Sequence, residues 1–237
     1  MDSFGEAAAA SYDDEPRRDE ESAVALLHDL SHGGPALELA IGTGRIALPL
    51  AARGVQVDGV DLSAEMVARL RAKPGGEDIS VTMGDFADVP VHGSYRLIFV
   101  VFNTLFNLLS QEDQVRCFEN VSEHLTSGGL FVVEAFVPSF LTRLRDDQYV
   151  DAEHIGVDRV VLDVGRHDPV DQRLDENHVV LSSEGVRLFP IVTRYAWPSE
   201  LDLMARIAGL RLQHRWGGWD RQPFTTTSRH HVSVYGR

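Results

Sequence analysis

The sequence predicts an α/β fold: a doubly wound, mostly parallel sheet carrying a small antiparallel β insertion. Three observations predict it. Short apolar runs alternate with helix-periodic segments over the first 136 residues. The most apolar run, Leu97 to Phe102, reads as a central strand covered on both faces. After Pro138 the texture changes to alternating stretches separated by turn residues.

Residues 1–20 are polar and acidic and read as an arm. Val24, Leu26, Leu27 and Leu30 then mark a first helix, stopped by Ser31-His32-Gly33-Gly34-Pro35. Ala36 to Ile41 reads as a strand, Gly42-Thr43-Gly44 as a turn, and Ile46 to Ala51 as a helix. Val55 to Leu62 is a second strand, after which Ser63 caps a helix through Arg71. Ile79 to Met83 is a third strand ending at Gly84-Asp85-Phe86. A helix over Gln111 to Leu125 breaks at Ser127-Gly128-Gly129, and Leu130 to Phe136 is a further buried strand. Arg159 to Val164, His178 to Ser182 and Val186 to Tyr195 form the inserted sheet. Pro198 to Ala208 is a helix, and Leu210 to Trp216 and His230 to Tyr235 are two terminal strands. The expected division is an arm over 1–20, an α/β core over 21–137, an insertion capping the substrate over 138–196, and a return to the core over 197–237.

Composition narrows the function classes. The chain has 237 residues, enough to bury one large core without cross-links. Its 22 basic against 36 acidic residues give a formal charge of −14 and no concentrated basic patch, so nucleic acid is not an expected partner. One cysteine, Cys117, excludes an intramolecular disulfide, and in a helical segment it reads as a buried or half-buried thiol instead of a nucleophile. No signal-like start or membrane-length apolar run is present, which makes the cytoplasm the expected compartment and a membrane role unexpected. The chain is expected to act as a monomer or homodimer on a small molecule.

Glu38-Leu39-Ala40-Ile41-Gly42-Thr43-Gly44-Arg45 sets an acid late in an apolar strand and two glycines in the turn that follows. This resembles the E/D-x-x-x-G-x-G motif of class I methyltransferases dependent on S-adenosylmethionine (SAM). The glycines let the backbone turn sharply beside a ligand at the strand's carboxyl end. The spacing also fits a dinucleotide fingerprint, and Asp61, closing the next strand, suits ribose hydroxyls in either family. Gly84-Asp85-Phe86 separates the two, resembling the methyltransferase segment that meets adenine. Leu125-Thr126-Ser127-Gly128-Gly129 resembles the family's L-x-P-G-G joint, with Ser127 replacing proline. Ser11-Tyr12-Asp13 resembles the Tyr-Asp of an N-terminal arm closing over the cofactor.

The resemblance implies a seven-stranded Rossmann-like methyltransferase sheet and a transferase moving a methyl group to a nitrogen or oxygen atom of a small molecule. The insertion is similar to that of enzymes acting on nucleotide-linked aminosugars and other natural-product intermediates. SAM is the implied cofactor, held by Tyr12, Glu38, Ala40, Gly42, Gly44, Asp61, Leu62, Met66, Asp85, Phe86, Phe102 and Asn103. Phe106, Asn107, Phe136 and Trp197, with Phe140 and Trp219, are candidates for the acceptor pocket. Methyl transfer needs alignment more than a dedicated catalytic group, and Glu134, Tyr12, His178 and the pair His230-His231 are unspecific candidates for a base. His124 reads as a helix-surface residue. No metal is expected, because no His/acid cluster shows ligand spacing. Two alternatives stay open: a SAM-binding protein without catalysis and a nicotinamide-dependent oxidoreductase.

Overall fold

The computed structural model describes residue 13 and residues 19–237. Tyr12, and with it the proposed arm tyrosine, lies outside the described residues. Among the described residues, helices α1 (Glu20–Ser31), α2 (Ala47–Ala52), α3 (Ala64–Arg71), α4 (Gln111–His124) and α5 (Pro198–Ile207) accompany eleven strands. Seven strands form the main sheet: β1 (Ala36–Leu39), β2 (Val57–Asp61), β3 (Ser80–Met83), β4 (Tyr95–Val100), β5 (Leu125–Phe136), β10 (Arg211–Trp216) and β11 (His230–Gly236). Their order is β10-β11-β5-β4-β1-β2-β3; pairing is parallel from β5 to β3 and antiparallel at β11 and β10.

Alternation along the central strands fills both faces. Leu37, Leu39, Ile98, Val100, Phe131 and Val133 enter one buried layer with α4 and α5, while Ala36, Leu97, Phe99, Leu130 and Val132 enter the other with α1 and α2. Burying a side chain such as Phe99 or Phe131 contributes about 1.5–3 kcal/mol. The Ser63 hydroxyl accepts from the Met66 amide at 3.3 Å, the cap that the sequence predicts for α3.

Three local expectations change. The β3–β4 connection over 84–94 contains no helix, so the strict strand and helix alternation fails there. β5 starts at Leu125, and a register shift between Tyr95 and Leu97 absorbs the glycines, with Gly128 at φ +71°. His124 is half-buried, with both ring nitrogens against the carbonyls of Asn120 and Val91, so it fastens that connection to α4.

The insertion is a separate antiparallel sheet, β6 (Gln148–Ile155), β7 (Arg159–Asp168), β8 (Arg173–Ser182) and β9 (Gly185–Arg194), in sequence order. β6 is the strand absent from the sequence reading, because its Asp151, Glu153 and His154 mask the alternation. Buried polar bonds tie this sheet down. Arg194 donates to Gln114 of α4 at 2.8 Å, to Glu200 of α5 at 2.9 Å and to Gln172 at 3.1 Å, while Gln114 donates to the carbonyls of Leu108 and Arg194. Removing one partner from such a network leaves a buried group unsatisfied, at about 1–3 kcal/mol.

Candidate active site

The chain runs β1-β2-β3 outward and then returns to place β4 on the other side of β1, so the sheet's switch point lies between β1 and β4. Backbone strain collects at the carboxyl ends of these two strands. Ala40 has φ +55°, Phe102 +55° and Asn103 +65°, all left-handed and none glycine. Gly42 and Gly44 continue the turn at φ +56° and +76°. A Cβ on Gly44 would lie 2.3 Å from Leu70 Cδ1; one on Gly42 would meet Met66 Cε at 3.5 Å.

Two carboxylates flank the turn. Glu38 is 3% exposed, its Oε2 has no hydrogen-bond partner among the described residues, and desolvation raises its pKa well above the ordinary range against the Ala47 amide. Asp61 accepts from the Gly42 amide at 2.6 Å and the Ser63 amide at 2.8 Å; burial raises it and these bonds oppose the rise. Asp13 is pinned to the same turn, accepting from the Thr43 hydroxyl at 2.7 Å and pairing with Lys73 at 2.8 Å. Desolvation pushes Asp13 up, but Lys73, Thr43 and Arg45 together bring its carboxyl below the usual range. Arg45 stacks its guanidinium 4.3 Å from the Phe102 ring centroid and approaches Glu20 at 3.2 Å, joining α1 to the end of β4.

Around this turn, Leu62 is 74% exposed just after Asp61, and Met66 is buried beneath it. Asp85 is exposed and accepts from the Ala87 amide at 2.9 Å, an Asx turn, while Phe86 packs half-buried against the core. The Asn103 side chain accepts from the Phe136 amide at 2.6 Å, fastening the end of β4 to the end of β5.

A cavity of about 350 Å³ opens beside these strand ends, lined by Phe102, Asn103, Glu134, His230 and the 217–222 loop, with Asp19 and Ser22 of the α1 start. Of this loop only Trp219 was legible in sequence, as a candidate pocket residue; Asp19, Ser22 and Gln222 carried no signal.

The cavity sorts the candidate bases. Glu134 has one oxygen on the Phe102 amide at 2.8 Å and the other on the Trp219 indole at 2.9 Å, so it clamps the loop to β4. His230 lines the cavity, and desolvation lowers its pKa despite Asp19. His231 is fully buried, bonded through Nδ1 to Ser233 and depressed by desolvation to about 3. His178 lies on the inserted sheet against Asp163.

Aromatic rings lead from the end of β5 to the insertion. Phe106 to Phe136, Phe136 to Phe140 and Phe140 to Tyr149 have centroid separations of 5.0, 5.9 and 6.0 Å. Phe106 is fully buried and props Phe136 from behind; Phe136 and Asn107 are half-buried, and Phe140 is 43% exposed. Trp197 stands apart, 36% exposed at the start of α5.

A family model described as a methyltransferase domain matches residues 36–129. The CcbJ methyltransferase from Streptomyces caelestis is 39% identical, with a TM-score of 0.92, over 99% of this chain and 97% of that one. The chain belongs to the SAM-dependent methyltransferases. The cypemycin N-terminal methyltransferase of Streptomyces sp. is 28% identical over 86% of this chain and 84% of its own length. CalS10, an amino pentose methyltransferase from Micromonospora echinaspora solved with SAM, is 22% identical and shares the fold at a TM-score of 0.72, over 98% of this chain and 96% of that one.

The residues of this methyltransferase fit its cofactor. An orphaned, fully buried carboxyl oxygen at Glu38 calls for a donor, and the glycine turn keeps side chains out of the space above the switch point. Among the described residues no helix is long and apolar enough to cross a membrane.

Proposed function

We propose that this methyltransferase transfers the methyl group to an amine nitrogen of a small natural-product type of acceptor, in the cavity between the ends of β4 and β5 and the 217–222 loop. The orphaned Glu38 oxygen carries the cofactor side of this reading. Glu38 receives the cofactor's cationic methionine end, with the turn at Ala40, Gly42 and Gly44 beside it. Asp61 and Leu62 face the ribose, Met66 supports the turn, Asp85 and Phe86 meet the adenine, and the strained Phe102-Asn103 backbone borders the reacting end. The name of the cypemycin enzyme supports nitrogen as acceptor atom.

SAM supplies an electrophilic methyl carbon on a good leaving group. The protein aligns the acceptor and excludes water. An amine must arrive neutral, and His230, held below its ordinary pKa in the cavity wall, is a neutral imidazole at physiological pH that can take the proton released. Glu134 and Trp219 hold the loop that closes this wall, and an acceptor reaching beyond it would meet Asn107 and the rings of Phe136 and Phe140 on the way to the insertion, with Phe106 buried behind Phe136 and Trp197 standing apart.

Calorimetric titration with S-adenosylhomocysteine, with NADH as control, tests the cofactor reading; binding of NADH alone would overturn it. Incubation with SAM and matched panels of amines and phenols, read by mass gain, tests the acceptor atom. Methylation confined to phenols would refute the nitrogen assignment.

A further inference from the structure

We infer that the inserted sheet carries a site for a divalent transition-metal ion of the zinc type, held by Glu153, Asp163 and His178. These residues come from β6, β7 and β8, and one potential ligand atom of each lies within 4.8 Å of the others. Their separation along the chain hides them from any spacing pattern, and the sheet register gathers them. Asp163 is the direct cross-strand partner of His178, and the two side chains are hydrogen-bonded through Nδ1. Glu153 Oε2 is 3.8 Å from the same nitrogen.

A second observation favours a cation here. Asp163 is also the direct cross-strand partner of Asp151, and a like-charged pair placed directly opposite is destabilising unless something positive lies between or beside it. One pair along, Glu176 joins the same face through its Tyr149 hydrogen bond. The face is the one turned to the core, since Leu174 on it is fully buried and Tyr149 packs on the core cluster. The Asp163 and His178 side chains nonetheless keep 30% and 37% exposure, so an ion and its water can enter. Two carboxylates and an imidazole, with no thiolate, suit zinc, cobalt or manganese. Arg159 and Arg187 stand on the same sheet and offer the competing way to balance the charge.

The test uses tag-free full-length protein, stripped with chelator and titrated with zinc chloride or cobalt chloride. Elemental analysis gives stoichiometry and the visible cobalt spectrum reports a protein site. About one equivalent is expected, with affinity lowered roughly 10-fold or more in His178→Ala and in Glu153→Gln, and unchanged in His92→Ala, an exposed histidine elsewhere. S-adenosylhomocysteine binding by the same preparations checks folding. Absence of uptake, or uptake indifferent to both site variants while they still fold, would overturn the site and leave the Asp163–His178 pair as an ion pair balanced by the arginines.

Discussion

Glu38→Gln should make the ligand-free protein more stable and its cofactor binding weaker. The buried Glu38 carboxyl has one oxygen on the Ala47 amide and one with no partner among the described residues, so ionising it in the folded state is costly. Because its folded pKa lies well above the ordinary 4.5, its contribution to stability is whole below that value and fades as the pH rises toward the folded one. Glutamine imitates the protonated form at every pH. The variant should therefore match wild type in acid and exceed it at neutral pH, by about 1–3 kcal/mol, the scale of an unsatisfied buried group. With the charge gone, S-adenosylhomocysteine loses a charge-assisted bond of about 1.5–3 kcal/mol, roughly a 10- to 100-fold weaker Kd. Urea unfolding of stripped protein across the acid to neutral range, together with calorimetric titration, reads both numbers. A variant that is less stable at neutral pH and binds with unchanged Kd would refute the reasoning and make Glu38 an ordinary structural carboxylate.

Other consequences are equally direct. His231 titrates near 3 in the folded state against the ordinary 6.5. The unfolded chain therefore takes up the proton first, and as the pH falls between these values the protein should lose up to about 1.4 kcal/mol per pH unit through this residue. The stability difference between wild type and His231→Leu should trace that slope in acid unfolding curves. Trp219→Phe removes the indole donor to Glu134 and should cost about 1–3 kcal/mol by urea unfolding, with turnover falling more than S-adenosylhomocysteine affinity as the loop loosens. Gly44→Ala combines a left-handed φ with a 2.3 Å approach to Leu70 and should cost about 2–5 kcal/mol by urea unfolding; a loss of stability below a tenth of that would show the turn to be adaptable. His230→Gln should lower the rate with amine acceptors and flatten the acid limb of the kcat/KM profile, a limb set below the ordinary histidine value.

The elements of the main sheet were legible because both of their signals are local. Apolar runs such as Leu97 to Val101 and the breakers at Gly42-Thr43-Gly44 act within one strand or turn, whatever the rest of the chain does. Glu38, Gly42, Gly44 and Asp61 were legible for the same reason, since a motif at strand ends reports on the backbone that carries it. β6 escaped because Asp151, Glu153 and His154 interrupt its alternation and the strand is exposed along nearly its whole length, with no apolar layer to impose one.

By itself the sequence determined the α/β class, the glycine turn, the absence of a disulfide and the family resemblance. Only the tertiary structure decided which titratable groups are free to act. It showed Glu134 bound at both oxygens, set His230 in the cavity wall and its neighbour His231 in the core on the opposite face of β11, and gathered Glu153, Asp163 and His178 across three strands. The physical reason is that desolvation and hydrogen bonding depend on what the fold brings from far along the chain, as Trp219 does for Glu134, and no local pattern encodes those partners.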